Sequence, residues 1–311
     1  MLRPRVSIGM PVYNGAQYLE AAIDSLLGQT FTEFELIICD NASTDGTQAI
    51  CERYRLQDSR IRYERNARNM GASWNFNRTY NLARAQYFKQ AAHDDICEPE
   101  FLERCVEVLD GDPTVVMAYP RTTIIDADGN TIEHCSETLN LREDRPHQRF
   151  QHFHHVFGEW SVCHPVFGVM RVAPVRDREI LPRFIASDMI LLAELSLHGK
   201  IVEIPGSLFK LRWHAGASTV AQKAFEQRAL WFDPALSGAL ASTLTRFRWL
   251  YEYLAMIARV PMTPFERLRC YQQMPRWIFR NRSKLATDLL RAASIVHRLH
   301  RLRSPKEAIN L

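Results

Sequence analysis

Two adjacent carboxylates, Asp94-Asp95, follow His93 at the end of the run Tyr87-Phe88-Lys89-Gln90-Ala91-Ala92. Adjacent carboxylates repel each other, so a chain that puts both at a strand end needs a cation or donors to offset the repulsion. A hard divalent ion, Mg2+ or Mn2+, suits them because it takes oxygen ligands and shares them with substrate phosphates. Capping of the helix that Pro99 opens is an equally open role for either residue. Asp40 follows the apolar segment Leu36-Ile37-Ile38-Cys39 of a second run, Phe34 to Cys39, and starts Asp40-Asn41-Ala42-Ser43-Thr44-Asp45-Gly46. A carboxylate there can accept from a nucleobase N–H while Ser43 or Asp45 caps the next helix; a loop with a cap is the competing reading. Gly71 permits close backbone approach or a positive φ, and Arg68 could meet a diphosphate or simply be solvated. Asp188 heads a helix, where a carboxylate stays ionised and, placed at a cleft, could take a proton from a hydroxyl. His214 could touch a leaving phosphate or a metal, or be structural.

The elements that must carry these residues alternate. Arg5 to Met10 reads as a strand stopped by Pro11, followed by a helix with Leu19, Ile23, Leu26 and Leu27 on one face. Strands at Phe34–Cys39, Ile61–Tyr63 and Tyr87–Ala92 alternate with helices through Ile50 and Tyr54, over Trp74 to Ala85, and after Pro99. Such alternation predicts an α/β protein with a mainly parallel sheet covered by helices, whose ligands bind at the carboxyl ends of the strands. Pro11-Val12-Tyr13-Asn14, Asp40-Asn41, Asn66 to Gly71 and His93-Asp94-Asp95 all sit at such ends. Farther on, Ile124 to Ile132 reads as a hairpin, 136–160 as a loop with a short helix, and Val162 to Met170 as a strand. Asp188 opens a helix closed by Gly199, and Ile201–Ile204 and Leu208–Trp213 are strands. Beyond Gln222 the pattern is helical, broken near Pro234, at Pro261-Met262-Thr263-Pro264 and at Pro275. His152, His154 and His155 form no metal pair on a clear helix and read as loop.

The 311 residues hold seven cysteines, an odd number with no CxxC pair, which argues for reduced thiols rather than a disulfide framework or zinc knuckle. The N-terminus lacks the apolar h-region of a signal peptide and no run is long enough to span a bilayer, so a cytoplasmic protein is expected. The net charge of +4 hides an asymmetry: residues 235–311 carry 14 Lys/Arg against 4 Asp/Glu, and the remainder is acidic.

Taken together, the residues resemble glycosyltransferase family 2, inverting transferases with the A-type nucleotide-diphospho-sugar transferase fold. The resemblance rests on four motifs in order: Val6 to Asn14, Glu35 to Thr47, Asn69-Met70-Gly71, and His93-Asp94-Asp95 with Pro99. It is strong over residues 5–120, fair to about 220 and absent beyond. It implies that Pro11, Tyr13 and Asp40 contact the base and ribose of a nucleotide-diphospho-sugar, with Asn14 in the same binding site. It implies further that Asp94 lies near the ribose, that Asp95 binds a divalent metal bridging the diphosphate, and that Asp188 is the catalytic base. Arg212-Trp213-His214 matches the family's segment near the donor phosphates, with Leu211 where Tyr is usual. Ser187 stands where the family has Glu, and Asn41 and Ala92 where Asp is common.

On that reading residues 1–220 form the catalytic domain, with 1–120 nucleotide-binding and 121–220 facing the acceptor, and 221–311 a basic helical extension. The irregular region 130–175, including His164-Pro165-Val166-Phe167-Gly168, would recognise a saccharide or lipid-linked acceptor. The extension combines arginines with Trp249, Tyr251, Tyr253, Trp277, Ile278 and Phe279, which suits docking on the cytoplasmic face of a membrane. Packing on the catalytic domain, or a homodimer contact, is the competing reading. No nucleic-acid-binding motif accompanies the charge. The alternative functions are a non-catalytic nucleotide-sugar binder or membrane scaffold, and a sugar nucleotidyltransferase. The latter would want a Gly-rich phosphate loop, which Met10 to Gly15 is not.

Overall fold

The computed structural model describes residues 3–136, 138–156, 164–217, 225–232 and 244–303. The N-terminal half runs β1 (Val6–Val12), α1 (Ala16–Leu27), β2 (Phe34–Asp40), α2 (Thr47–Gln57), β3 (Ile61–Arg65), α3 (Ala72–Leu82), β4 (Tyr87–Gln90), β5 (Ile96–Cys97) and α4 (Phe101–Gly111). It continues with β6 (Val115–Ile125), β7 (Thr131–His134), α5 (Pro146–Val156), a 3-10 turn at His164–Phe167, β8 (Val169–Arg171), a second 3-10 turn at Ala173–Val175, α6 (Ser187–His198) and β9 (Lys200–Arg212). The C-terminal helices are α7 (Phe225–Phe232), α8 (Thr245–Arg259), α9 (Pro264–Tyr271) and α10 (Met274–Arg303).

One nine-stranded sheet orders these strands β3-β2-β1-β4-β8-β6-β9-β5, with β7 paired to β6. β3, β2, β1 and β4 are parallel; β8 enters antiparallel between β4 and β6, and β6 and β9 are again parallel. β1 and β2 are buried at every position, as expected for strands covered on both faces. Leu19, Ile23 and Leu26 of α1 are all buried against them, each worth about 1.5–3 kcal/mol. Among the described residues no helix is long and apolar enough to cross a membrane.

Several elements differ from the sequence reading, each for a local reason. β1 continues through Pro11. Gly9 accepts from Ala91 N at 2.9 Å on the β4 side, and two residues on, β4 has already ended, so the missing N–H of Pro11 costs no ladder bond. Pro99 does not open α4 but precedes its N-cap, Glu100. The short helix expected within 136–160 is α5, whose 11 residues include the fully buried Phe150 and Phe153, and it carries His152, His154 and His155, which read as loop. Residues 164–170 hold a 3-10 turn and the start of β8 rather than a long strand; Val162 and Cys163 lie outside the described residues. The two strands read at 201–213 are one, β9, which spans a register shift against β6. Pro275 sits in the first turn of α10, where its missing N–H is harmless, and Pro234 lies outside the described residues.

The core has two centres. One lies among β1, β2, α1, α2 and α4; the other joins Phe150, Phe153, Leu192 and Leu195 to Trp249, Tyr253, Met256, Cys270 and Trp277. The C-terminal helices thus complete the core beneath α5 and α6. Ion pairs strengthen the joint: buried Glu194 of α6 is gripped by Arg259 of α8, with Arg178 at 3.8 Å.

Candidate active site

The loops after β1, β2 and β3 are stitched together at the strand tips. Asn14 N donates to Ser43 Oγ at 2.9 Å, and Asn14 Oδ1 accepts from Thr44 N at 2.8 Å. Gly15 N donates to Thr47 Oγ1 at 2.9 Å. A Cβ on Gly15 would lie 2.7 Å from Val12 Cγ2 and run into the His93 ring, so glycine is what lets the first loop pass under His93. Pro11 is buried and Tyr13 is 45% exposed, leaving its ring free to meet a ligand. Asp40 is fully buried: Oδ1 accepts from Ser43 N at 2.8 Å, and Oδ2 accepts from Tyr63 OH at 2.8 Å. Burial, and then Asp40, push the Tyr63 hydroxyl up, so it remains a donor. Asp40 therefore shapes the loop from within.

An amide network that the sequence did not reveal holds the third loop. Asn41 Nδ2 donates to Asn69 Oδ1 at 2.8 Å and to Gly71 O at 3.2 Å. Its Oδ1 accepts from Asn66 Nδ2 at 3.0 Å and Met70 N at 2.9 Å. Asn66 also donates to Asn75 Oδ1, and Asn75 Nδ2 to Cys39 O at 2.7 Å. Every donor and acceptor of the Asn41 amide is used, which explains Asn where the family often has Asp: a carboxylate could not donate. Gly71, with φ +86°, supplies the turn into α3 that a side chain would strain. Arg68 is exposed, without a hydrogen bond to the described residues.

Asp94 and Asp95 lie between β4 and β5, and neither caps α4. Asp95 Oδ1 accepts from Arg212 N at 2.8 Å. Asp94 Oδ2 meets His214 Nε2 at 2.9 Å, and Gly216 N donates to His214 Nδ1 at 3.2 Å. With Nδ1 accepting, Nε2 carries the ring proton and donates to Asp94. Arg212 reaches the Asp94 carbonyl at 2.9 Å and the Ala127 carbonyl at 3.0 Å, tying the β6–β7 hairpin to the aspartates. Tyr18 stacks under both, 4.8 Å from the Arg212 guanidinium and 4.6 Å from the His214 ring. Burial, then the Asp94 charge, raise the Asp95 carboxyl well above the ordinary range; the Arg212 N–H, Lys89 and the Arg212 charge oppose this. Lys89, fully buried on β4, donates to Phe167 O at 2.6 Å and lies 4.2 Å from the Phe101 ring centroid. A lysine directly after Tyr87-Phe88 in the strand was the sign of it in the sequence.

Among the described residues no three His, Cys, Asp or Glu side chains group as a metal cage. A pair of carboxylates short of a full ligand set, one of them pressed by burial and a like charge, fits a cation that completes its shell with phosphate oxygens and water.

Asp188 is half-buried in the first turn of α6. Just before it, Ala186 is held at φ +57°, a conformation costly for a residue with a Cβ, and Ser187 is fully buried. Trp249 of α8 donates Nε1 to the Ile185 carbonyl at 3.2 Å and so braces this strained entry. Among the described residues Asn14 at φ +52° and Ala42 at φ +62° are the other non-glycine residues of positive φ, and both lie in the strand-tip loops.

A family model for Glycosyl transferase family 2 matches residues 7–178, more than half of the chain. The chain belongs to glycosyl transferase family 2. Among curated proteins it is 34% identical over 129 residues to a chondroitin synthase of Escherichia coli, covering 42% of this chain and 19% of that one. It is 30% identical over 135 residues to an uncharacterized glycosyltransferase of Methanocaldococcus jannaschii, covering 43% and 47% of the two. The chain thus matches a fifth to a half of such relatives' length. Among solved structures, S. aureus TarS 1–349 in complex with UDP superposes with a TM-score of 0.52 at 16% identity, over 97% of this chain and 93% of that one. A mannosyltransferase from Pyrobaculum calidifontis in complex with GDP-Man and Mn2+ superposes at 0.50 and 17%, over 97% and 81%. These likenesses establish the A-type glycosyltransferase fold.

Proposed function

We propose that this chain is a metal-dependent, inverting glycosyltransferase. It moves a sugar from a nucleotide-diphosphate donor to a hydroxyl of a saccharide or lipid-linked saccharide, in cell-surface polysaccharide assembly at the cytoplasmic side of a membrane. The observation that carries it is the linked set of strand-end loops that converges on two adjacent carboxylates, one tied to His214 and the other to Arg212. Relatives named chondroitin and hyaluronan synthases support the reading, as do fold neighbours complexed with UDP-GlcNAc and with GDP-Man and Mn2+.

In this reading residues 1–120 hold the nucleotide, with Pro11, Tyr13 and Asn14 along base and ribose and Asp40 fixing the loop behind them. Asp94 lies near the ribose, and Asp95 holds Mg2+ or Mn2+; bound there, the ion stabilises negative charge on the departing diphosphate. Arg68 and His214 face the diphosphate, and Gly71 lets the backbone approach it. Asp188 takes the proton of the acceptor hydroxyl as that oxygen attacks the anomeric carbon opposite the diphosphate. The bond from anomeric carbon to diphosphate oxygen breaks in the same displacement, which inverts configuration. Residues 121–220 supply the acceptor side, with 130–175 carrying specificity, although 157–163 lie outside the described residues. Nucleotide release from a panel of UDP-, GDP- and dTDP-sugars with Mn2+ tests the reading. One donor should be turned over by the parent and not by Asp95→Ala; equal activity of the two would exclude this mechanism.

A further inference from the structure

α10 presents two unlike faces. Met274, Trp277, Leu285 and Asp288 are buried against the neighbouring helices. The opposite side carries Ile278 (40% exposed), Phe279 (63%), Leu289 (54%) and Leu290 (73%). At 3.6 residues per turn Phe279, Ala286, Leu290 and Ala293 line up along the helix, with Ile278 and Leu289 beside them. Along one flank run Arg276, Arg280, Lys284 and Arg291, at spacings that keep them on one side of that apolar line, Arg280 also donating Nη1 to the His154 carbonyl of α5 at 3.1 Å. Arg282 lies within the apolar strip, 4.3 Å from the Phe279 ring centroid. The one acid of α10, Asp288, is turned inward, where it accepts from Arg246 N at 2.7 Å and feels the charge of Arg291, so the helix itself carries more cations than carboxylates on its outer side. Arg298, Arg301 and Arg303 continue the basic sequence without an acid.

We propose that this outward face of α10 is a docking surface for an anionic lipid bilayer. It rests on the glycosyl-transfer reading only in supplying a reason for an enzyme to sit there. A large apolar strip of Phe, Ile and Leu beside a row of arginines is the pattern of a helix lying in the plane of a membrane interface. Its apolar side chains enter the acyl boundary and its cations meet headgroup phosphates. The charge complementarity selects this occupant: a second copy of the chain would set two cationic rows against each other. The anchors differ from the aromatic set seen in the sequence. Trp249, Tyr253 and Trp277 belong to the core, and the exposed Ile278 and Phe279 are joined by Leu289 and Leu290.

Deleting the helix would also strip Trp277 and Leu285 from the core, so the test uses point variants of the full chain. Co-flotation is measured with vesicles of phosphatidylcholine, pure or carrying about one-third phosphatidylglycerol. The parent should float with the anionic vesicles and not the neutral ones. The double variants Phe279→Glu/Leu290→Glu and Arg276→Gln/Lys284→Gln should each reduce the bound fraction at least about tenfold, with unchanged thermal unfolding midpoints. A parent that stays unbound, or variants that float as well as the parent, overturns the proposal. So does sedimentation showing a parent dimer that Phe279→Glu/Leu290→Glu splits while vesicles recover neither protein. Loss of donor turnover would leave the flotation result unchanged, so the two readings fail separately.

Discussion

Replacing Asn41 by the Asp common elsewhere in the family should be destabilising here, and the size of the loss follows from the amide network. Asn41 is 2% exposed, and its Nδ2 donates to Asn69 Oδ1 and to Gly71 O. An ionised carboxylate would turn an acceptor toward those two acceptors while keeping the bonds from Asn66 and Met70. Asn69 Oδ1 keeps Gly71 N and Gly71 O keeps Asn75 N, so the loss comes from two deleted hydrogen bonds, the repulsion of a carboxylate oxygen facing them, and a desolvated charge, about 3–5 kcal/mol together. The sign with pH is fixed as well. The introduced carboxyl is disfavoured as an anion in the folded state, so its folded pKa rises above the unfolded value of about 4. The folded variant then gains protons as pH falls, and its deficit relative to the parent should shrink between about pH 8 and about pH 5. Urea denaturation of Asn41→Asp and the parent at both pH values measures this. A deficit below about 1 kcal/mol at the higher pH, or one that does not shrink at the lower, would refute the network as the reason for Asn.

Trp249→Phe keeps the packing of α8 but removes the donor to the Ile185 carbonyl. It should lower kcat several-fold with little change in donor KM, and equal kcat would show that the strained entry to Asp188 needs no brace. Arg212→Met removes the guanidinium that joins the Asp94 carbonyl to the hairpin. A loss of about 2–4 kcal/mol in chemical denaturation is expected, and a loss under about 0.5 would contradict the role. Burial pushes His154 down to about 3 from 6.5, so below about pH 6.5 the unfolded chain takes a proton that the folded one refuses. Stability present above that pH should therefore decline as pH falls, by about 3 kcal/mol near pH 4, and His154→Leu should flatten that slope in pH-dependent urea melts.

The strand-end logic was legible because buried parallel strands announce themselves. Val6–Met10 and Phe34–Cys39 are unbroken enough to place Asn14 and Asp40 at their ends, and the structure keeps them there. Boundaries suffered where a local cue was outweighed by neighbours. Pro11 reads as a stop until β4 is seen to end before it, and the bounds of the short helix within 136–160 are obscured because α5 buries Arg149 along with its phenylalanines. Arg149 is 4% exposed and donates to the Ser196 carbonyl at 2.7 Å, contacts that no periodicity in hydropathy can signal. The amide network was illegible for a similar reason: Asn41, Asn66 and Asn69 read as turn residues and Asn75 as one position of a helix, and their reciprocity exists only in space. The tail's aromatic residues could be counted but not sorted into inward and outward until α8, α9 and α10 were packed.

The central claim is that the Asp94-Asp95 pair holds a divalent cation together with a nucleoside diphosphate. Paramagnetic resonance of free Mn2+, titrated with the protein in the presence and absence of UDP or GDP, measures it directly. The account predicts Mn2+ uptake that one of the nucleotides strengthens at least about tenfold and that Asp95→Ala abolishes. Uptake indifferent to both nucleotides, or undiminished in Asp95→Ala, would contradict it.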